Sequence, residues 1–257
     1  MSKSHLSKRH PIVFIHGMWS TSSVWNKYVE FYQDKGYEVH TPVLRHHEPD
    51  EQDLETLGGT GIAEYLDDLT TFIESLEKKP ILIGHSLGGL LALILAGRGL
   101  AEKAVLLAPI TPAGYSTLYP SVMKTFVPAL LRRGFWKQPV KLSSEVANDG
   151  LFNRLPDEAK PAHYQEMVYE SGRTISEIMF WFMDNDQTTR AVKVPDNRLL
   201  IMAGKHDQIT PAERCRKVAQ DYGADFMQLE EHGHWLPSEP GWERIAEQSE
   251  IWLSLDG

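Results

Sequence analysis

Short apolar segments that alternate with stretches of helical periodicity constrain the fold of this chain more than any other feature of its sequence. Several of them, including residues 81–83 and 105–107, are apolar at every position instead of at alternate positions. Strands with this pattern are buried on both faces, as in a parallel sheet covered by helices. The sequence therefore predicts an α/β fold with a doubly wound, mostly parallel sheet. The predicted strands are residues 12–15, 37–42, 80–84, 104–108, 198–203 and 226–229.

One long stretch, residues 111–196, interrupts this alternation. It shows no clear strand, and it is too long and too apolar to be a plain loop. We therefore predict a core of residues 1–110 and 197–257, with a mainly helical cap of residues 111–196 inserted between two strands. The predicted helices of the core are residues 24–35, 61–78, 87–98, 212–222 and 242–253. At the fourth of these, Thr210 is expected to cap a helix that has Pro211 at its first position.

The strongest chemical signal is the segment Gly84-His85-Ser86-Leu87-Gly88, between a predicted buried strand and an apolar helix. A serine on a sharp strand-to-helix turn adopts a strained backbone conformation, and its neighbours two positions away must be small. The helix that follows directs its positive end at the site, where it stabilises developing negative charge. This context favours a nucleophilic serine over a plain serine helix cap.

A nucleophilic serine needs a general base, and histidine has a suitable pKa. His234 follows a glycine just after the last predicted strand, and His232 in the same loop is its competitor. The acid that orients the base is expected after a core strand that lies between the serine and the histidine in sequence. Asp207 meets this requirement. Its rivals by composition lie in or beside the predicted cap; they are Asp184, Asp186 and Asp196.

Acyl transfer also needs two N–H donors directed at the oxyanion of the tetrahedral intermediate. The backbone amide of Leu87, directly after the proposed nucleophile, is the first candidate. The second is the amide of Met18, because His16-Gly17-Met18 follows the first predicted strand and Gly17 permits a close backbone turn.

Taken together, these segments resemble the α/β-hydrolase superfamily, in particular its carboxylesterase- and lipase-like serine hydrolases. The resemblance extends from Pro11 to Leu255. It implies Ser86, Asp207 and His234 as the catalytic triad, with backbone donors in the oxyanion hole, and it implies that the insertion is the family's cap. The loop after the first strand lacks the multi-glycine run of one esterase subgroup, so the subfamily stays open.

A serine at the nucleophile position argues against the dehalogenases and epoxide hydrolases of this superfamily, which resemble it but use aspartate there. The main hypothesis is a serine hydrolase that cleaves carboxylic esters of apolar or moderately apolar substrates through an acyl-enzyme. The alternatives are a cofactor-free perhydrolase, a carbon–carbon bond hydrolase and a ligand-sensing receptor on the same fold. Trp19 is expected beside the reaction centre, and Phe180, Trp181 or Phe182 is expected to form the pocket wall unless these residues serve only packing.

Composition restricts the partners further. The net charge of −9 and the pI of about 5.7 argue against nucleic acid, and no apolar run is long enough to span a membrane. The single cysteine and the lack of an apolar leader segment are typical of a cytoplasmic protein. We expect a small-molecule ester as partner, and no cofactor or metal. The local cluster of potential ligands does not match a zinc pattern; it comprises His40, His46, His47, Glu48 and Asp50.

Overall fold

The computed structural model describes residues 9–48, 52–117, 119–195 and 198–255, and within them it contains a six-stranded sheet and a separate two-stranded sheet. The strands are β1 (Ile12–Ile15), β2 (Val39–His40), β3 (Ile81–His85), β4 (Ala104–Leu107), β5 (Pro139–Val140), β6 (Glu170–Ser171), β7 (Leu199–Gly204) and β8 (Asp225–Leu229). The larger sheet has the order β2-β1-β3-β4-β7-β8, and all its neighbouring strands are parallel. The predicted doubly wound parallel sheet is confirmed.

Helices cover both faces of this sheet. The α-helices of the described residues are α1 (Asn26–Asp34), α2 (Leu54–Leu57), α3 (Ile62–Glu74), α4 (Leu87–Gly97), α5 (Pro120–Leu130), α6 (Ser144–Gly150), α7 (Lys160–Glu166), α8 (Gly172–Met179), α9 (Ala212–Tyr222) and α10 (Trp242–Ser254). Val13 and Ile15 of β1 share one apolar cluster with α3, α4 and α9. Ile12 and Phe14 point to the opposite face and share a second cluster with α1 and α10. Burial on both faces explains why these strands lack polar alternation.

The chain between β4 and β7 contains α5, α6, α7 and α8, as expected for a mainly helical segment. The expectation of no strand there was wrong, because β5 and β6 form a short antiparallel pair in which Pro139 lies opposite Ser171. Strands of two residues carry no periodicity that a sequence pattern can reveal. Apolar side chains of this segment belong to the same cluster as the sheet residues. Its treatment as a separate cap domain stays a prediction, and Asp196 lies outside the described residues.

Helix α9 spans Ala212–Tyr222 as predicted, but Pro211 lies at the capping position instead of the first helical position, and no side chain caps the helix. The predicted capping role of Thr210 was therefore wrong. Its hydroxyl instead contacts the carbonyl oxygen of Ala108 and the carboxylate of Asp207, as described below. Among the described residues, no helix combines the length and apolarity needed to cross a bilayer.

Candidate active site

Ser86 lies in the turn between β3 and α4, at the carboxyl edge of the sheet. Its φ of 54° and ψ of −114° place a non-glycine residue in a strained region of backbone space. A Cβ atom on Gly84 would overlap the backbone of Gly88, and a Cβ on Gly88 would overlap the carbonyl group of Ile15. The predicted need for small residues on both sides of the serine is thus confirmed. The turn is rigid and directs the serine side chain away from the sheet.

Two loops at the same edge bring Asp207 and His234 to this serine. Asp207 follows β7, and His234 follows β8. The Nε2 atom of His234 is 3.0 Å from Ser86 Oγ, and its Nδ1 atom is 2.8 Å from Asp207 Oδ2. Because a carboxylate only accepts, Nδ1 carries the proton and Nε2 is left to accept from the serine hydroxyl. This arrangement can remove a proton from Ser86 during nucleophilic attack.

Asp207 is buried, yet it is fully provided with donors. Its Oδ1 accepts from the amides of Ile209 and Thr210, both at 2.7 Å. Burial by itself would raise the pKa of Asp207, but the facing imidazole of His234 and the hydrogen bonds from Thr210 lower that pKa below its usual range. The carboxylate therefore stays ionised at neutral pH and can stabilise an imidazolium.

Thr210 is a site residue that the sequence analysis missed. Its Oγ1 is 2.8 Å from Asp207 Oδ2, 3.1 Å from the carbonyl oxygen of Ala108 and 3.4 Å from His234 Nδ1. The hydroxyl has one proton to share between the first two acceptors. It fixes the carboxylate on the side that faces the imidazole. The role was missed because a Thr-Pro pair before a helix is a common capping pattern, whereas nothing in the sequence indicates a contact with Asp207.

Thr210→Val should lower kcat/KM for an ester by about tenfold, equivalent to ~1.4 kcal/mol of transition-state stabilisation. Valine keeps the shape of threonine but removes the hydrogen bond that holds Asp207. Thr210→Ser, which restores the hydroxyl, is the matched control and should recover most of the loss in steady-state assays. If valine and serine behave alike, the hydroxyl has no positioning role.

Two further polar residues hold the loop that carries His234. His85 has its Nε2 2.7 Å from the carbonyl oxygen of His234, so this nitrogen is protonated and donates. Burial, with the neighbouring His234, lowers the pKa of His85 to about 3, which keeps it neutral. Glu239 accepts from the amide of Gly233 at 2.8 Å and from that of Trp235 at 3.0 Å. Side-chain hydrogen bonds thus hold the backbone on both sides of His234.

The competitors for these roles lie elsewhere. His232 faces Glu239, with 3.1 Å between Nδ1 and Oε2, and makes no hydrogen bond to Ser86 among the described residues. Asp184 accepts from the amide and hydroxyl of Thr188 within its own turn. Asp186 is exposed beside it. The structure brings neither aspartate to the imidazole of His234.

The predicted oxyanion loop lies directly against the nucleophile. A Cβ on Gly17 would lie 3.0 Å from Ser86 Cβ and 3.1 Å from the carbonyl oxygen of His85, so a larger residue here would crowd the nucleophile. His16 holds the loop by accepting from the amide of Leu44 at 3.1 Å through Nε2, while its Nδ1 donates to the Gly17 carbonyl oxygen at 3.0 Å. In the part of the chain that the structure describes, no protein acceptor takes the amide of Met18 or Leu87. Both are available to a bound oxygen.

The chain matches a model of the alpha/beta hydrolase family over residues 12–248. It belongs to the alpha/beta hydrolase family. Among curated proteins, it is 25% identical to protein ABHD8 of Mus musculus in an alignment 238 residues long that covers 86% of this chain and 50% of that protein. The chain therefore spans about half the length of the curated relatives it matches. ABHD8 of Homo sapiens gives 24% identity over the same share of the chain.

Two solved structures show the same alpha/beta hydrolase fold. A monoacylglycerol lipase from Paleococcus ferrophilus superposes with a TM-score of 0.70 at 24% identity, covering 95% of both chains. The methylesterase MES16 from Arabidopsis gives a TM-score of 0.70 at 15% identity, covering 96% of this chain and 100% of the methylesterase chain. At these identities the similarity concerns the fold.

This alpha/beta hydrolase has a narrow apolar cleft beside the proposed nucleophile. It encloses about 470 Å³ outside the protein atoms, part of it open to solvent. Three of its lining residues connect it to the site: Met18 in the oxyanion loop, Ile110, whose amide donates to the Ser86 carbonyl oxygen at 3.0 Å, and Thr210. Residues from the insertion form the opposite wall; they include Val122, Phe126, Ile175, Ile178 and Met179.

The aromatic residues expected in this wall lie elsewhere. Phe180 lines a separate surface groove, and Phe182 is 61% exposed. Trp181 donates its indole N–H to the carbonyl oxygen of Tyr115. Helix α8 ends at Met179, so the three residues after it leave the face that covers the cleft. Trp19 is buried behind Phe126, and its indole N–H donates to the carbonyl oxygen of Val140, so it supports the wall without lining it.

The histidine-rich cluster after β2 has a structural role in the described residues. His47 is fully buried with its Nε2 3.1 Å from Glu170 Oε2, and Glu170 also accepts from the hydroxyl of Tyr65 at 2.9 Å. His40 instead contacts Glu38. No group of three or more potential metal ligands converges within the described ranges, and Asp50 lies outside them. The buried pair connects the insertion to the core.

Proposed function

We propose that this chain hydrolyses carboxylic esters of apolar or moderately apolar acids through an acyl-enzyme on Ser86. The observation that carries the proposal is the hydrogen-bonded series Ser86–His234–Asp207, with separations of 3.0 and 2.8 Å. Residues that contact this series or lie in the oxyanion loop also line an apolar cleft; they are Met18, Ile110 and Thr210. Supporting it, two proteins of the same fold carry the names lipase and methylesterase, which both denote ester hydrolysis.

In the proposed reaction, Ser86 Oγ attacks the ester carbonyl while its proton passes to His234 Nε2. The resulting oxyanion accepts from the amides of Met18 and Leu87. Collapse of this intermediate expels the alcohol, which takes the proton from His234 and leaves the acyl group on Ser86. Water then attacks the acyl-enzyme with His234 again as base, and the carboxylic acid leaves. Asp207 stabilises the imidazolium at both stages.

A p-nitrophenyl ester in excess over protein tests this activity. An enzyme releases many equivalents of p-nitrophenol, and an acyl-enzyme that hydrolyses slowly gives an initial burst of one equivalent per site. A ligand-sensing receptor on the same fold would release at most one equivalent and then stop. Sustained release by the wild type, absent from Ser86→Ala, supports the proposal, and arrest at one equivalent contradicts it.

Selectivity for acyl length should be set by the residues that the structure places in the cleft. Each additional buried methylene contributes about 0.8 kcal/mol, or roughly fourfold in kcat/KM, until the acyl chain meets the wall. Ile178→Ala and Val122→Ala each remove bulk from the wall and lengthen the cleft. They should therefore move the maximum of kcat/KM to longer acyl chains. The measurement is a length series of p-nitrophenyl esters.

Phe182→Ala is the matched control for that series, because Phe182 is exposed and does not line the cleft. Its profile should coincide with that of the wild type. If Phe182→Ala shifts the optimum while Ile178→Ala and Val122→Ala do not, the acyl group binds elsewhere.

A further inference from the structure

The cleft beside Ser86 is lined mostly by apolar side chains. Among the described residues that line it, Arg214 alone carries a formal charge. Arg214 lies in the first turn of α9 and is half-buried, and its guanidinium carbon is 4.6 Å from the centre of the Tyr119 ring. A cation stacked on an aromatic ring is stabilised, but its N–H donors still need acceptors.

Arg214 differs from the comparable arginines of this chain. The other half-buried arginines each face a carboxylate: Arg45 with Asp68, Arg173 with Glu64 and Glu177, and Arg198 with Glu102. No carboxylate of residues 9–48, 52–117, 119–195 or 198–255 forms an ion pair with Arg214. The chain has 35 acidic residues against 26 basic ones, so partners are plentiful. The N–H donors of Arg214 can therefore bind an anionic ligand that enters the cleft.

Tyr119 provides a second unsatisfied donor in the same cleft. Its hydroxyl is buried without a hydrogen-bond partner among the described residues. Tyr119 immediately precedes α5, whereas Arg214 belongs to α9, so two separate segments of the chain bring these donors next to each other. A planar guanidinium fork with an adjacent hydroxyl matches the acceptor geometry of a carboxylate.

We propose that Arg214 and the Tyr119 hydroxyl bind a carboxylate at the far end of the acyl group. The preferred substrates are then monoesters of dicarboxylic acids, whose methylene chain occupies the apolar part of the cleft. This inference rests on the proposed ester hydrolysis. It assigns the part of the cleft near Ile110 and Thr210 to the reacting ester, and the part near Arg214 and Tyr119 to an anion.

The test compares two matched series of p-nitrophenyl esters. One series contains half-esters of dicarboxylic acids from succinic to azelaic acid, and the other contains fatty acid esters of the same acyl length. The rate without enzyme is subtracted, because a terminal carboxylate attacks its own ester in short half-esters. The quantity measured is the ratio of kcat/KM between the two esters of each length.

For the wild type, this ratio should peak at the length at which the carboxylate reaches Arg214. Arg214→Met keeps an unbranched apolar stem but removes the guanidinium, and it should lower the peak ratio by about 10- to 100-fold, as expected for loss of a charged hydrogen bond. The peak ratio of Arg214→Lys should lie between those of the wild type and Arg214→Met, because lysine keeps the charge but lacks the planar guanidinium. Tyr119→Phe should lower the ratio several-fold.

Arg216→Met is the matched control. Arg216 lies two residues further along α9, is exposed, and has its guanidinium carbon 4.5 Å from the centre of the Phe226 ring, outside the cleft. Its ratio should equal that of the wild type, with unchanged melting temperatures confirming that the variants fold. An unchanged ratio in Arg214→Met, or an equal loss in Arg216→Met, overturns the inference. If the wild type hydrolyses neither series, both the proposed ester hydrolysis and the carboxylate site are contradicted. If it hydrolyses only the fatty acid esters, only the carboxylate site is contradicted.

Discussion

Replacement of Ser86 by alanine should lower ester turnover by roughly 10⁴- to 10⁶-fold, because no other group can form the acyl-enzyme. The residual rate comes from the oxyanion hole and substrate binding. Alanine adds no bulk at a position with a positive φ, and the fixed glycine neighbours are unchanged. The measurement is steady-state kcat/KM on a p-nitrophenyl ester, with circular dichroism to confirm the fold.

Ser238→Ala is a suitable control for this substitution. Ser238 is half-buried near the loop of His234, and its amide donates to the Trp235 carbonyl oxygen, a bond that alanine retains. The control should keep the activity of the wild type. A Ser86→Ala protein with more than a few per cent of the original rate would place the chemistry on another residue.

His234→Ala should be nearly as damaging as Ser86→Ala, since a serine without its base is a weak nucleophile and the two residues act as a unit. His85 cannot replace it, because burial lowers the pKa of His85 to about 3 and its protonated nitrogen donates to a backbone carbonyl group. His232→Ala should cost roughly tenfold or less, through the loop that Glu239 holds. Both variants are compared in the same ester assay.

The contrast between the two histidines is decisive for the assignment of the base. If His232→Ala abolishes turnover while His234→Ala retains most of it, the base is His232 and the loop must rearrange on substrate binding. Equal small effects would exclude both residues as the base.

Sequence patterns were sufficient for the sheet because burial on both faces leaves a direct trace in composition. The strands β1, β3, β4 and β7 begin and end within one residue of their predicted bounds. Strand β2 was predicted from residue 37 to residue 42 but contains only Val39–His40, because it pairs with one neighbour at the sheet edge and a short stretch of hydrogen bonds suffices there.

Contacts between segments that are distant in the chain could not be predicted from the sequence. Trp19 was expected beside substrate, but its indole N–H donates to Val140, which is 121 positions away. Phe180 was expected in the pocket because aromatic residues are common there, yet the end of α8 at Met179 determines which side chains face the cleft. Helix ends are decided by local backbone geometry, which composition records weakly.

The supporting residues of the site show the same limit. Glu239 holds the loop of His234 by accepting from the Gly233 amide at 2.8 Å. Thr210 holds Asp207 through a hydroxyl–carboxylate contact of 2.8 Å. Neither belongs to a recognisable motif in a single sequence. Ser86, by contrast, is flanked by glycines whose absence of Cβ is visible in the sequence itself. Steric requirements of the backbone can be read from residue types, whereas side-chain contacts require the fold.

The most direct test of the central proposal is covalent labelling with a fluorophosphonate, which reacts with an activated serine and stops at the phosphonylated enzyme. Mass spectrometry of the intact protein should show one adduct per chain, and peptide mapping should locate it at Ser86. Labelling should disappear in Ser86→Ala and should slow strongly in His234→Ala. A stable adduct on a different residue, or none on a folded protein, would contradict the assignment of Ser86 as the nucleophile.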